Sequence, residues 1–210
     1  MTQAKRRPNG SRELLLAAAR AAFAAKGFDG ARVEEIAAEA GVNKQIIYYY
    51  FESKDGLFRA ALEQIYEAIR EQNLAYVESV KPMRPDAAIA ALVERLFGRL
   101  QRQPDVIALV LEENRHKGRH LVSRKIIQSS HTPMFDYVAR VLAEGARLGI
   151  FRSGVDPRQF YFDMVSLCMF YFINTYTMSA VLGTDLLSQG SMRARRKHIV
   201  ECLIASVSAP

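Results

Sequence analysis

The 210-residue chain has no tryptophan, two cysteines and seven prolines, and each scarcity excludes something. Cys168 and Cys202 cannot make a disulfide framework. Each lies in an apolar stretch of helical pattern, so both are expected as reduced, buried residues of a cytosolic protein. Runs of Val, Ile and Thr alternating with polar residues at turn spacing are missing, which turns the expectation to an all-α fold. There is no internal repeat, no low-complexity tract and no Gly/Ser linker. No G-x-S-x-G and no phosphate-cradling glycine loop occurs, and neither cysteine is read as having a histidine near it in sequence. No catalytic constellation, no metal and no cofactor is therefore expected, and the chain does not read as an enzyme. The N-terminus has the positive charge of a signal peptide. Alanine-rich amphipathic sequence interrupted by Arg20 follows in place of an apolar core.

What is present is apolar residues, at half of the composition, and positive charge, at a formal net +7. The first suffices for one or two packed domains. The second favours an acidic partner such as nucleic acid. It is concentrated at one end, where Lys5, Arg6, Arg7 and Arg12 precede the first acid, Glu13.

The rest of the chain is organised around Val33–Lys54, VEEIAAEAGVNKQIIYYYFESK. Val33, Ile36, Ala37 and Ala40 recur at i, i+3, i+4, i+7, which predicts one short helix with a single apolar face. Gly41 follows where a helix ends in the left-handed conformation that glycine adopts most easily. Asn43 can cap the next helix, Lys44 to about Phe51. There Ile47 and Phe51 face inward, and Lys44, Gln45, Ile46, Tyr48 and Tyr49 point outward or sideways. Such a face makes a poor core and a good probe for a groove lined by phosphates and base edges, so the pair reads as a helix-turn-helix.

The longer run Gly27–Leu62 resembles the DNA-binding signature of the TetR family of bacterial transcriptional regulators. The resemblance is carried by Phe23, Gly27 and Phe28, the Ile-Ala of the supporting helix, Ala-Gly-Val at the turn, Tyr48 with Phe51, and Ser-Lys-x-x-Leu opening the next helix. Arg32 departs from it, standing where a hydroxyl residue often caps the supporting helix, and so do Gln45-Ile46, where small residues or threonine are frequent. The resemblance implies an all-α protein of about nine helices. Residues 1–53 would hold the arm and a three-helix head, and residues 54–210 a larger helical effector-binding and dimerisation domain. It implies a homodimeric, ligand-responsive regulator, usually a repressor, on a near-palindromic duplex operator. Residue by residue it places Lys44, Gln45, Ile46 and Tyr48 near base edges, with Asn43 at their helix start. Tyr49 and Lys54 would grip phosphate, and Arg32 and the Lys5–Arg7 arm would add sequence-blind contacts. Phe160–Leu182 and Met192–Val207 would pair with their copies as a four-helix bundle.

Elsewhere, Ser11 is expected to cap a first helix reaching Lys26-Gly27. A long helix runs from Lys54 to about Val80 and joins head to body rigidly. Asp86–Arg102 follows, then Pro104 to about His116, ended by Gly118. Thr132-Pro133 and Asp156-Pro157 each read as a cap followed by a first-turn proline, opening helices that end near Leu148 and Leu182. Met164–Leu182 is nineteen residues without a charge. Its many hydroxyl and amide groups and its mid-segment aromatics argue for a helix buried between layers rather than a membrane span.

The body carries what a small-molecule pocket needs, an apolar and aromatic lining with a few polar groups. The candidates are Phe97, Leu100, Val110, Glu113, Asn114 and Phe135, with Tyr137, Tyr161, Cys168, Tyr171 and Asn174, each of them equally at home in an ordinary core. Two rivals stand beside the ligand-responsive regulator. One is a DNA-binding regulator without an effector, working through a protein partner. The other is a helical metalloprotein around Glu113, His116 and His120, against which stand Gly118 between the histidines and the absence of a second such motif.

Overall fold

The computed structural model describes residues 8–121 and 124–209, which form ten helices and no strand beyond one isolated bridge. By packing, the chain forms two units. The first takes the residues up to Glu71 together with Pro104–Ser130, the second Gln72–Gln103 together with His131 onward. Neither boundary falls at residue 53: the front of the long fourth helix packs with the head, and so does a helix from the middle of the chain.

In the first unit, α1 (Pro8–Gly30), α2 (Val33–Glu39), α3 (Lys44–Phe51), the front of α4 (Lys54–Ser79), α6 (Pro104–Arg115) and the start of α7 (Arg124–Arg147) share one apolar core. Leu15, Ala19 and Phe23 of α1 meet Ile36, Ile47, Leu57, Phe58, Leu62 and Leu109, all at most 1% exposed. Each fully buried Leu, Ile or Phe here stabilises the fold by about 1.5–3 kcal/mol. Phe58 is the hub, edge-on to Phe23 at 4.9 Å and to Phe28 at 5.3 Å between ring centres. Gly27, at φ +68°, breaks α1 and turns the chain so that the Phe28 amide donates to Glu112 Oε1 at 2.7 Å. A side chain at residue 27 would be strained by this φ and would crowd that carboxylate.

In the second unit, the rear of α4, α5 (Pro85–Arg102), the rear of α7, α8 (Pro157–Ile173), α9 (Thr175–Leu182) and α10 (Gln189–Val207) pack together. The inward stripe of α5, Ile89, Leu92, Val93 and Phe97, is buried, as are Phe160, Met164 and Cys168 of α8 and Ile199 and Leu203 of α10. The C-terminus is pinned by Arg152 N–H donating to Val207 O and Ala209 N–H donating to Ile150 O.

Several expectations are corrected. The first helix starts at Pro8 rather than at Ser11. Thr132-Pro133 opens nothing: α7 begins at Arg124 and carries Pro133 inside. Ile126 and Ile127 pack on the first core and extend the helix back past the proline, so burial overrides the local cap signal. Phe160–Leu182 is two helices, which raises the count from nine to ten. At Asn174 (φ −109°, ψ 14°) the chain bends by 77°, and the Asn174 amide turns back to donate to Phe170 O. Among the described residues no single helix is long and apolar enough to cross a membrane.

Candidate nucleic-acid interface and effector region

The head follows the pattern read from its sequence. Gly41 adopts φ +67°, and the Asn43 side chain accepts the Gln45 N–H at 2.9 Å, capping α3. Ile47 and Phe51 are buried, and Lys44, Gln45, Tyr48 and Tyr49 are exposed, Tyr49 to 78%. Ile46 is half-buried against the core. The outward face therefore offers an ammonium, an amide and two phenols side by side, a set able to meet both base edges and phosphate oxygens.

Two of its cations already have partners. Lys44 Nζ pairs with Glu34 Oε1 at 3.2 Å, and hydrogen bonds from the backbone and from Lys44 hold the Glu34 carboxyl below the usual carboxylate range. Lys54 donates to Asp29 O at 3.3 Å and lies 4.8 Å above the centre of the Phe28 ring. Arg32 is exposed at the N-terminus of α2 and makes no side-chain cap. The Lys5–Arg7 arm lies outside the described residues.

The effector candidates divide between the two units. Val110, Glu113 and Asn114 belong to the first. Glu113, 3% exposed, accepts the backbone N–H of His120 at 2.7 Å through Oε1, and its Oε2 lies 2.9 Å from His120 Nδ1. The other ring nitrogen of His120 faces Asp55 Oδ1 at 3.2 Å. Asn114 is exposed and donates to Val110 O. The residues of the rival metalloprotein reading do not converge: His116 turns to Glu112 and Asp29. Those three form a metal-sized cluster of their own, but Arg115 bridges both carboxylates and occupies their oxygens.

The other candidates lie in the second unit. Phe97 packs against Tyr171 and Phe172 at 5.5 and 4.7 Å, and Tyr171 OH donates to Leu186 O. Tyr137 stacks edge-on with Tyr76, and Phe135 lies 6.3 Å from the ring of Tyr161. Leu100 and Cys168 are core, and burial pushes the Cys168 thiol up to about 12. Cys202, read as having no histidine near it, has His198 one turn earlier, with Sγ 3.4 Å from Nε2. The reading also missed polar groups in this unit: Arg95 and Arg99 on Asn73, and His131 beside Tyr161. His131 Nδ1 lies 2.8 Å from Tyr161 OH, and burial together with Arg99 pulls the imidazole down to about 4. Burial also raises Tyr161 and lowers Arg99. The signal that could have found the first of these was Arg95 and Arg99 four apart, one position off the Leu92–Leu96–Leu100 face of an otherwise amphipathic helix.

Residues 15–61 match the model of bacterial regulatory proteins of the tetR family, and residues 85–203 match that of a tetracyclin repressor-like C-terminal domain. The transcriptional repressor NicS of Pseudomonas putida is 30% identical over 176 residues, 84% of this chain and 82% of its own. The repressor SCO4008 of Streptomyces coelicolor is 28% identical, over 93% and 98%. The crystal structure of the putative regulator SCO4942 from the same species superposes with a TM-score of 0.68 at 22% identity, covering 95% of this chain and 99% of that one. An N-terminal and a C-terminal family match that together span most of the chain, with repressors alike over nearly full length, make this protein a member of the TetR family of DNA-binding transcriptional regulators.

Proposed function

We propose that the protein is a cytoplasmic, homodimeric repressor that leaves a near-palindromic operator when a small molecule binds its C-terminal domain. The observation that carries this is the face of α3: Lys44, Gln45, Tyr48 and Tyr49 are exposed while Ile47 and Phe51 are sunk in the core. Each subunit lays that face in a major groove, the two sites one helical turn (~34–36 Å) or a multiple apart. Gln45 reads a base edge, with Lys44, Ile46 and Tyr48 beside it. Tyr49 and Arg32 contact phosphate, and Lys54 joins them by exchanging the Asp29 carbonyl for a phosphate oxygen. The second copy is supported by apolar exposure on α8 and α9, where Phe162, Phe170, Tyr176, Val181 and Leu182 are all more than half exposed. Release by a ligand is supported by family membership and by α4, one unbroken helix from the head to the second unit. A ligand shifts this equilibrium only through its different affinity for the two states.

Selection of bound fragments from genomic DNA gives the operator, and two variants then separate the roles. Gln45→Ala is expected to lose ~1–3 kcal/mol of binding and relax one base position. Lys54→Ala is expected to weaken all sequences alike and flatten the salt dependence by about one unit. Identical behaviour of the two variants across operators overturns the assignment.

A further inference from the structure

Arg99 is a half-buried cation with little to hold it. It stands one turn after Arg95 on α5, and both reach Asn73 of α4, which is 2% exposed. Arg95 Nη2 donates to Gln72 O at 2.6 Å and to Asn73 Oδ1 at 3.3 Å, and its guanidinium lies over the Tyr76 ring. Arg99 has five N–H groups to place. Among the described residues it makes one hydrogen bond, at 3.5 Å to that same Asn73 oxygen.

The titratable groups that act on Arg99 are Tyr161 and Arg95, and those that act on Arg95 are Tyr76 and Arg102. No carboxylate is among them. Burial nonetheless lowers both arginines, and the neighbouring His131, pulled down to about 4, is neutral at pH 7. A charge drawn partly out of water is ordinarily matched by an opposite charge, because its desolvation is unfavourable. Among the described residues no carboxylate pairs with either arginine. Beside Asn73, Arg95 and Arg99 lies a cavity of about 20 Å³, its other walls Leu92, Leu96, Met134 and Met164. It has room for one water. Two of its walls are methionines, unbranched side chains that repack readily.

We propose that this cavity seats a small organic carboxylate, its oxygens on the Arg99 guanidinium and the free donors of Arg95, its apolar body in the place of Met134 and Met164. A planar carboxylate matches the fork of a guanidinium. The proposal rests on the ligand-response reading and names its chemical class. A cavity of one-water size admits the acid only when widened, which supplies the differential affinity that a two-state response requires.

Full-length protein, as wild type, Arg99→Met and Arg99→Lys, is titrated calorimetrically with acetate to octanoate, benzoate and phenylacetate, and with the amide of each, at constant ionic strength. At least one carboxylate is expected to bind the wild type while its amide does not. Arg99→Met should bind it about tenfold to a hundredfold more weakly, with Arg99→Lys between. Without ligand, Arg99→Met should melt no lower than the wild type. Binding of no acid in the series, equal binding of acid and amide, or equal binding by Arg99→Met overturns the site. A much lower melt for Arg99→Met overturns the premise that this charge is uncompensated. Arg99-dependent binding that leaves operator affinity unchanged refutes the ligand-response reading and leaves the anion site standing. Operator release by an uncharged compound, with no acid bound, does the reverse.

Discussion

The two packing units bury ionisable groups in opposite ways. In the first, each buried charge has its answer: Glu113 holds the amide and ring of His120, and the far side of that ring meets Asp55. Glu112 is treated alike. Burial works against its ionised form, yet hydrogen bonds from Arg115, the Phe28 amide and His116 carry its carboxyl below the ordinary range. In the second unit two half-buried guanidiniums and a neutral histidine have only phenols and an amide around them among the described residues. A closed network rigidifies the unit that holds the probe helix. An open one leaves the other unit with an unmet electrostatic demand, which a guest can meet.

The sharpest break of this contrast is a pair of substitutions. Glu113→Ala strands His120 and is expected to lower stability by about 3–5 kcal/mol in urea denaturation, as removing one member of a buried pair does. Arg99→Met should leave the midpoint unchanged or raise it, and equal losses in the two variants would erase the distinction. Next in size is a pH effect. The folded-state value of His131, about 4, lies below its usual 6.5, so the unfolded chain binds more protons between the two. The stability from a neutral His131 is complete above pH 6.5 and is lost as pH falls toward 4, by about 3 kcal/mol at most. His131→Leu should flatten that slope, and an unchanged slope would place the proton elsewhere. Smaller still, Asn43→Ala removes the α3 cap and should cost ~1 kcal/mol by thermal melting, with a matching fall in operator affinity. Last, Glu34→Gln should leave the melting midpoint where it is, because an exposed ion pair contributes little. The same variant should tighten binding to random-sequence duplex.

The head was the legible part of the sequence. Apolar spacing, Gly41 and the Asn43 cap act within a few residues, and the local choices agree with the fold. Where signals conflict, the longer-range one prevails. Thr132-Pro133 has the form of a helix start, but Ile126 and Ile127 find a core and α7 runs through it. Asn174 breaks a stretch whose composition promises one helix. The effector candidates were picked as aromatic and polar residues on inward faces, a criterion that cannot separate a residue that packs from one that binds. Arg95 and Arg99 escaped it because arginine on an amphipathic helix reads as solvent-facing. Only the meeting of α4 with α5 at Asn73 shows them turned inward.

The pairing of Lys44 with Glu34 bears on how such a head searches a chromosome. A phosphate that takes the lysine leaves the glutamate facing the negative backbone, and this penalty is the same on every sequence. With Gln45 and its neighbours reading base edges as proposed, only sites that return those contacts would overcome it. On the proposed reading of α3 the carboxylate would work as a filter, shortening the time spent on unrelated DNA and leaving the protein free for its target.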